Sequence, residues 1–198
     1  MKKWIAGIWL TVLMVTIVGF FWYNQLVYSM PTPVPEEYVP VATGTKINTG
    51  SKLKFSTSKP VFLHFFNPDC PCSKFNMAHF KTLVKNYGDS LNFAIVVMSD
   101  KTYTKNDIQK RFGLDIPVLQ DEALANACGV YSTPQAVLLK SDQTLYFRGN
   151  YNKSRYCTDE KTSFAKLAIE ELLQDRKILK MDPLALIAYG CKLPNCTN

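Results

Sequence analysis

An uncharged apolar run near the N-terminus most constrains how this chain can fold. It extends from Trp4 to Tyr23 and follows Lys2 and Lys3. A helix of about 20 residues matches the hydrocarbon core of a bilayer, and aromatic residues near both ends are typical of membrane interfaces. The two lysines favour a cytoplasmic N-terminus. We therefore expect residues 1–29 to be a single-pass signal anchor in a bacterial inner membrane, with the rest of the chain facing the periplasm.

A cleaved signal peptide is the alternative reading of the same segment. Val27 and Ser29 would then occupy the −3 and −1 positions of a cleavage site. The apolar run is longer than the usual h-region of about 7–15 residues, which favours an uncleaved anchor. Under both interpretations the domain is exported, so its cysteines meet an oxidising compartment.

Composition excludes several other classes of protein. Hydrophobic residues make up 47% of the 198, which is too many for a disordered chain, and six cysteines are too sparse for a disulfide-knit miniprotein. The net charge is +7, but 16 acidic residues are interspersed with 23 basic ones, with no dense Lys/Arg block. We expect no nucleic-acid partner.

The exported part divides into a linker, a domain and a tail. Residues 30–45 are a proline-rich linker, expected to be a semi-extended spacer. Residues 46–178 form the domain, and residues 179–198 form a C-terminal tail.

Strand and helix patterns alternate within the domain. They predict a three-layer α/β/α fold with a mixed central sheet, preceded by a strand near Leu53. The predicted elements in chain order are strand Val61–Phe66, a helix through Phe80 and Tyr87, strand Asn92–Met98, helix Thr104–Phe112, strands Ala136–Leu139 and Thr144–Phe147, and a helix from Phe164 to Leu172.

The motif Cys70-Pro71-Cys72 lies between the first strand and its helix. A thiol at a helix N-terminus meets unpaired N–H groups and the positive end of the helix dipole, which stabilise the thiolate. Two cysteines separated by one residue can close a small, strained and easily reduced disulfide. The motif therefore predicts redox chemistry, although a structural disulfide or two free cysteines would share the pattern.

Two segments resemble the signatures of thioredoxin-like proteins. Lys59–Cys72 is similar to the active-site strand and turn, in the style of membrane-anchored TlpA/ResA-type thiol-disulfide oxidoreductases, and Gly129–Leu139 is similar to the segment that carries a cis proline. The resemblance implies that Cys70 attacks, that Cys72 resolves the mixed disulfide, and that Pro134 in cis shapes the groove for an extended substrate. It further implies protein thiols and disulfides as partners, a membrane electron donor, and no dissociable cofactor.

The chain departs from the pattern of that family at two positions. Ser73 stands where the second cysteine of Cys-x-x-Cys would be, so the active site is a Cys-Pro-Cys variant. Asp69 replaces the usual tryptophan, and its carboxylate should oppose thiolate formation at Cys70.

Other cysteines and both histidines are further candidates. His64 is either a buried group that moves protons for the resolving cysteine or a core histidine. Cys157, with Arg155 nearby, follows a strand whose end should return to the face of Cys70, so it is an alternative resolving thiol or an ordinary loop cysteine. Cys128 is expected to be a buried, inert thiol.

The tail holds the last two cysteines. In an oxidising compartment Cys191 and Cys196 are expected to form a structural disulfide rather than a metal site.

Two other functions stay open at this point. One is a copper- or metal-handling module that uses Cys70 and Cys72, although His79 does not match the ligand spacing of known copper modules of this fold. The other is a binding module without catalytic activity.

Overall fold

The N-terminal helix α1 spans Lys2–Ser29 in the computed structural model, which describes residues 2–49, 53, 55, 58–154, 157–176 and 182–192. The stretch Lys2–Tyr23 of this helix is long and apolar enough to cross a membrane. The chain falls into two compact units, Met1–Pro31 and Thr32–Asn198.

The second unit contains the strands and the remaining helices. They are β1 (Val61–Phe66), α2 (Pro71–Tyr87), β2 (Asn92–Val97), α3 (Lys105–Phe112), β3 (Val118–Gln120), α4 (Glu122–Cys128), β4 (Ser132–Thr133), β5 (Gln135–Leu139), β6 (Leu145–Gly149), α5 (Phe164–Leu173), α6 (Pro183–Leu186) and β7 (Cys191–Lys192), with a 3₁₀ turn at Glu160–Thr162.

A five-stranded mixed sheet forms the centre of this unit, in the order β3-β2-β1-β5-β6. The strand β1 pairs in parallel with β2 and antiparallel with β5, and β5 continues antiparallel to β6. Every residue of β1 is buried, because layers of side chains cover both faces of the sheet. The second, smaller sheet consists of β4 and β7.

Two apolar clusters fill the space on either side of the sheet. One gathers Phe62 and Phe66 of β1 with Phe80 of α2 and Ile169 of α5. The other gathers Leu63 and Phe65 with residues of α4 and with Ile47. Alternate residues of β1 therefore face opposite layers, as expected of a central strand.

The predicted fold class is confirmed, and the long elements match their predictions closely. The helix Lys105–Phe112 begins one residue later than predicted because the hydroxyl of Thr104 accepts a hydrogen bond from the backbone N–H of Asp107 and caps it. The expected strand near Leu53 falls mostly on residues outside the described part, and Leu53 itself is in no strand.

Residues of the segment expected to be a linker contact the rest of the second unit. Backbone N–H of Thr32 donates to the carbonyl of Ala188, and the hydroxyl of Tyr38 donates to the carbonyl of Gly129. The ring of Tyr38 also lies edge-on to Tyr131, with centroids 4.7 Å apart. Proline prevents helix here without preventing packing, so the chain from Thr32 onward lies along the domain surface.

Candidate redox site

The turn that precedes α2 is held by local hydrogen bonds. Side-chain Oδ1 of Asn67 accepts from the N–H of Asp69 at 2.9 Å, and the carbonyl of Asn67 accepts from the N–H of Cys70 at 3.1 Å. The hydroxyl of Ser73 accepts from the N–H of Asn67 at 3.2 Å. Ser73 thus closes the turn at the position where the resembling family carries a second cysteine.

Cys70 caps the N-terminus of α2. Its backbone is extended, and the helix begins at Pro71, where a missing N–H costs nothing. The side chain of Cys70 is completely buried. Once reduced, a thiol in this position is favoured as thiolate by the helix dipole.

A cis peptide bond between Thr133 and Pro134 lies opposite this cysteine, and Cys70 Sγ is 3.9 Å from the carbonyl oxygen of Thr133. The cis proline expected from the resemblance is therefore present beside the sulfur of Cys70.

Cys70 forms a disulfide with Cys191, with 6.4 Å between their Cα atoms. The predicted disulfide between Cys191 and Cys196 is therefore not the one present, and Cys196 lies outside the described residues. The physical reason is the pairing of β7 with β4, which places Cys191 opposite Thr133 and within reach of Cys70.

Within the described part of the chain, the cysteines outside this disulfide are Cys72, Cys128 and Cys157, and none of them is in a disulfide. Cys72 is buried in the first turn of α2, and its carbonyl accepts a hydrogen bond from the side-chain amide of Asn76 at 3.2 Å. Cys157 Sγ donates to Asn76 Oδ1 at 2.8 Å. Cys157 thus reaches α2 but touches Asn76 rather than Cys70. Arg155 lies outside the described residues.

Burial raises the pKa of both Cys128 and Cys157 to about 12. Each is therefore a neutral thiol at neutral pH and a poor nucleophile. Cys128 lies at the end of α4, in the apolar cluster on the far face of the sheet.

Asp69, next to Cys70, is exposed, and its carboxylate contacts two partners. Its carboxylate lies 3.2 Å from the ammonium of Lys101 and accepts hydrogen bonds from the hydroxyl of Tyr103 at 3.0 Å. Slight desolvation raises the pKa of Asp69, but Tyr103 and Lys101 together lower it. The positive charge of Lys101 partly offsets the repulsion that Asp69 exerts on a thiolate at Cys70.

His64 lies in the middle of β1, opposite Ala136 of β5. Its ring stacks on Phe80, with centroids 4.4 Å apart, and its Nδ1 is 2.6 Å from the hydroxyl of Tyr151. Burial, with a smaller effect of His79, lowers the pKa of His64 to about 3. Its Nε2 has no hydrogen-bond partner within the described part of the chain.

His79 is half-buried in α2. Its Nε2 lies 3.2 Å from the hydroxyl of Ser163, and desolvation lowers its pKa. Across the described ranges, no group of three His, Cys, Asp or Glu side chains is placed to hold a metal ion.

Sequence reasoning missed the contribution of the tail to this site. Cys191, Gly190 and Thr32 all meet at β4, but a two-residue strand has no periodicity that could reveal it. The glycine directly before a tail cysteine was the available signal, because glycine marks close approach of two backbones.

The strand order, the cysteine that caps α2 and the cis proline beside it are those of a thioredoxin-like fold. Residues 41–193 match the family described as domain of unknown function DUF6436, and the chain belongs to that family. A search of curated proteins gave no match.

Solved structures share this architecture at low sequence identity. A hypothetical protein from Sinorhizobium meliloti 1021 aligns with a TM-score of 0.62 and 18% identity, covering 79% of this chain and 96% of its own. An uncharacterized conserved protein from Geobacillus kaustophilus aligns with a TM-score of 0.61 and 16% identity, covering 82% and 97%. A thioredoxin family thiol:disulfide interchange protein from Chlorobium tepidum TLS is less similar, with a TM-score of 0.46, 14% identity, and coverage of 71% and 99%. At these identities the likeness to the first two structures shows the fold alone.

Proposed function

We propose that this chain is an exported, membrane-anchored thiol-disulfide oxidoreductase of the TlpA/ResA type that acts on protein disulfides through Cys70 of its Cys-Pro-Cys motif. The disulfide of Cys70 carries the proposal. It joins the cysteine that caps α2, beside the cis Thr133–Pro134 bond, to a second cysteine of the same chain. A sulfur in that position is both a good nucleophile when reduced and a good leaving group when oxidised.

The exchange proceeds in two steps. The thiolate of reduced Cys70 attacks one sulfur of a substrate disulfide, forming a mixed disulfide and releasing the other substrate sulfur as a thiolate. A second thiolate of the chain then attacks Cys70 Sγ and releases the substrate as a dithiol. Two electrons have passed from the protein to the substrate, and the chain is left with an intramolecular disulfide. The reverse sequence oxidises a substrate dithiol.

The second thiol must come from the same chain. Cys72 and Cys157 are the candidates that the sequence supplies, and both lie along the first turns of α2. A thiol donor must return the chain to its reduced form after each turnover, and a membrane electron donor fits an anchored protein. No dissociable cofactor takes part in this chemistry.

Substitution of Cys70 tests the proposed function directly. Full-length protein in detergent is given insulin as a disulfide substrate and dithiothreitol as reductant, and the rate of insulin reduction is measured. Cys70→Ser should lower the rate by a factor of about 100 or more, because it removes the thiol that caps α2 and is proposed to attack the substrate disulfide.

Cys128→Ser is the matched control, since it removes a thiol that burial keeps protonated. It should stay within about twofold of the wild-type rate. Equal rates for wild type and Cys70→Ser would contradict the proposal and would favour a binding module without catalytic activity.

A further inference from the structure

The C-terminal strand β7 lies along the edge of β4 at the cis proline. Cys191 pairs antiparallel with Thr133, the residue directly before Pro134, and Lys192 pairs with Ser132. A two-residue strand such as β4 offers backbone N–H and C=O groups that any extended chain can use. The tail of this protein therefore takes up the position beside Pro134 in which an extended substrate would be bound.

Two sets of hydrogen bonds hold the tail in that position. The side-chain amide of Asn150 donates to the carbonyls of Leu184 and Ile187, which fixes α6 at the end of β6. The hydroxyl of Thr32 donates to the carbonyl of Gly190 and lies 2.9 Å from the hydroxyl of Ser132. These bonds hold the tail against β4, and the side chains of Ala188 and Cys191 are buried there.

Gly190 permits the close approach of the two strands. Its φ is +136°, a backbone conformation that residues with a side chain rarely adopt. An added Cβ would also collide with the backbone carbonyl of Thr133. The backbone position before Cys191 is thus shaped for glycine alone.

We propose that Cys191 is the resolving cysteine and that β7 is a tethered strand which alternates with the substrate in one groove. The proposal rests on the proposed function and replaces Cys72 and Cys157 in the second step. After Cys70 has formed a mixed disulfide, the thiolate of Cys191 attacks Cys70 Sγ. The Cys70–Cys191 bond forms, the bond from Cys70 to the substrate breaks, and the substrate sulfur leaves with the electron pair and takes up a proton.

The same geometry would keep a protein substrate away from Cys70 while β7 is in place. With β7 in place, Cys70 is completely buried and the edge of β4 is paired, so a protein substrate has access only when the tail has left. The oxidised chain is then closed and the reduced chain is able to open. The substrate class is an extended, cysteine-bearing segment of a protein that can replace Gly190-Cys191-Lys192.

Oxidised glutathione is a suitable probe of the resolving step. Reduced full-length protein in detergent is mixed with it, quenched with N-ethylmaleimide at intervals, digested, and mapped by mass spectrometry. Wild type should pass through a glutathione adduct on Cys70 to the Cys70–Cys191 disulfide. In Cys191→Ser the adduct on Cys70 should persist at least about 10-fold longer, because its resolving thiol is gone.

Cys128→Ser and Cys196→Ser are the matched controls and should resolve like wild type, whereas Cys72→Ser and Cys157→Ser test the two alternative resolving thiols. A persistent adduct in Cys72→Ser or Cys157→Ser, with rapid resolution in Cys191→Ser, would overturn the assignment of Cys191 and leave the proposed function intact. A glutathione adduct that never forms on Cys70 in any variant would reject the proposed function and this inference together.

Gly190→Ala tests whether the position of β7 matters for the resolving step or only for stability, since it keeps all six cysteines. It should lengthen the lifetime of the Cys70 adduct by about 10-fold, because the added Cβ prevents β7 from seating. Gly19→Ala is its control, where nothing lies within 4 Å of the added Cβ. A lower stability with an unchanged adduct lifetime in Gly190→Ala would contradict the inference.

Discussion

His64 is a neutral imidazole inside an aromatic cluster, and this has a consequence for acid stability. Its pKa in the folded protein is about 3, against 6.5 in an unfolded chain. Below about pH 6.5 the unfolded chain therefore binds a proton that the folded chain does not. The stabilising contribution of the neutral, buried imidazole is complete above pH 6.5 and is lost as the pH falls towards 3.

We predict that His64→Asn flattens the pH dependence of stability between pH 6.5 and 4. Asparagine can still bond the hydroxyl of Tyr151 but does not titrate. The free energy of unfolding of wild type should fall relative to the variant by about 1.4 kcal/mol per pH unit, measured by urea unfolding. His79→Asn is the comparison, and its effect should be smaller because His79 is only half-buried. Equal slopes in His64→Asn and wild type would contradict the prediction.

Site residues differed in how well the sequence could reveal them. Cys70 and Pro134 could be named as candidates from the sequence because each lies in a local pattern, a strand followed by a helix start and a Thr-Pro before a strand. The partner of Cys70 was missed because it lies 121 residues away, and no local pattern records which distant cysteine meets it. The prediction of a disulfide between Cys191 and Cys196 rested on an oxidising compartment and on the presence of both cysteines in one short tail.

Elements of the fold were predictable when they were long enough to show a period. The fully buried β1 and the amphipathic α5 carry clear patterns, and both were found. The strands β4 and β7 have two residues each, and α6 has four, so pairing rather than periodicity defines them. These short elements are the ones that complete the site.

The disulfide between α2 and β7 should contribute strongly to stability. It closes a loop across a sequence separation of 121 residues, so oxidation removes much of the entropy of the unfolded chain. We predict that reduction with dithiothreitol lowers the free energy of unfolding by about 2–4 kcal/mol, measured by urea unfolding. In Cys191→Ser the same treatment should change little. A similar loss in that variant would mean that another disulfide supplies the stability.

At the scale of the whole molecule, the apolar helix at the N-terminus bears on where the proposed chemistry takes place. We predict that the chain stays in the membrane pellet after an alkaline carbonate wash, with the full mass of 22.5 kDa. Protease added outside spheroplasts should digest the domain if Lys2 and Lys3 stay in the cytoplasm. A soluble product whose mass matches a chain that starts at Met30 would show instead that residues 1–29 are a cleaved signal peptide.

Two segments of the second unit that are distant in sequence meet at the edge of β4. Thr32 bonds Ala188 and Gly190, so the chain between the linker and the tail is closed into a loop by a few hydrogen bonds. A tail that leaves its groove must also release the linker at Thr32. We therefore expect the segment at Thr32 and the tail to open as one unit, so that a substitution of Thr32 changes access to Cys70 without altering the tail itself.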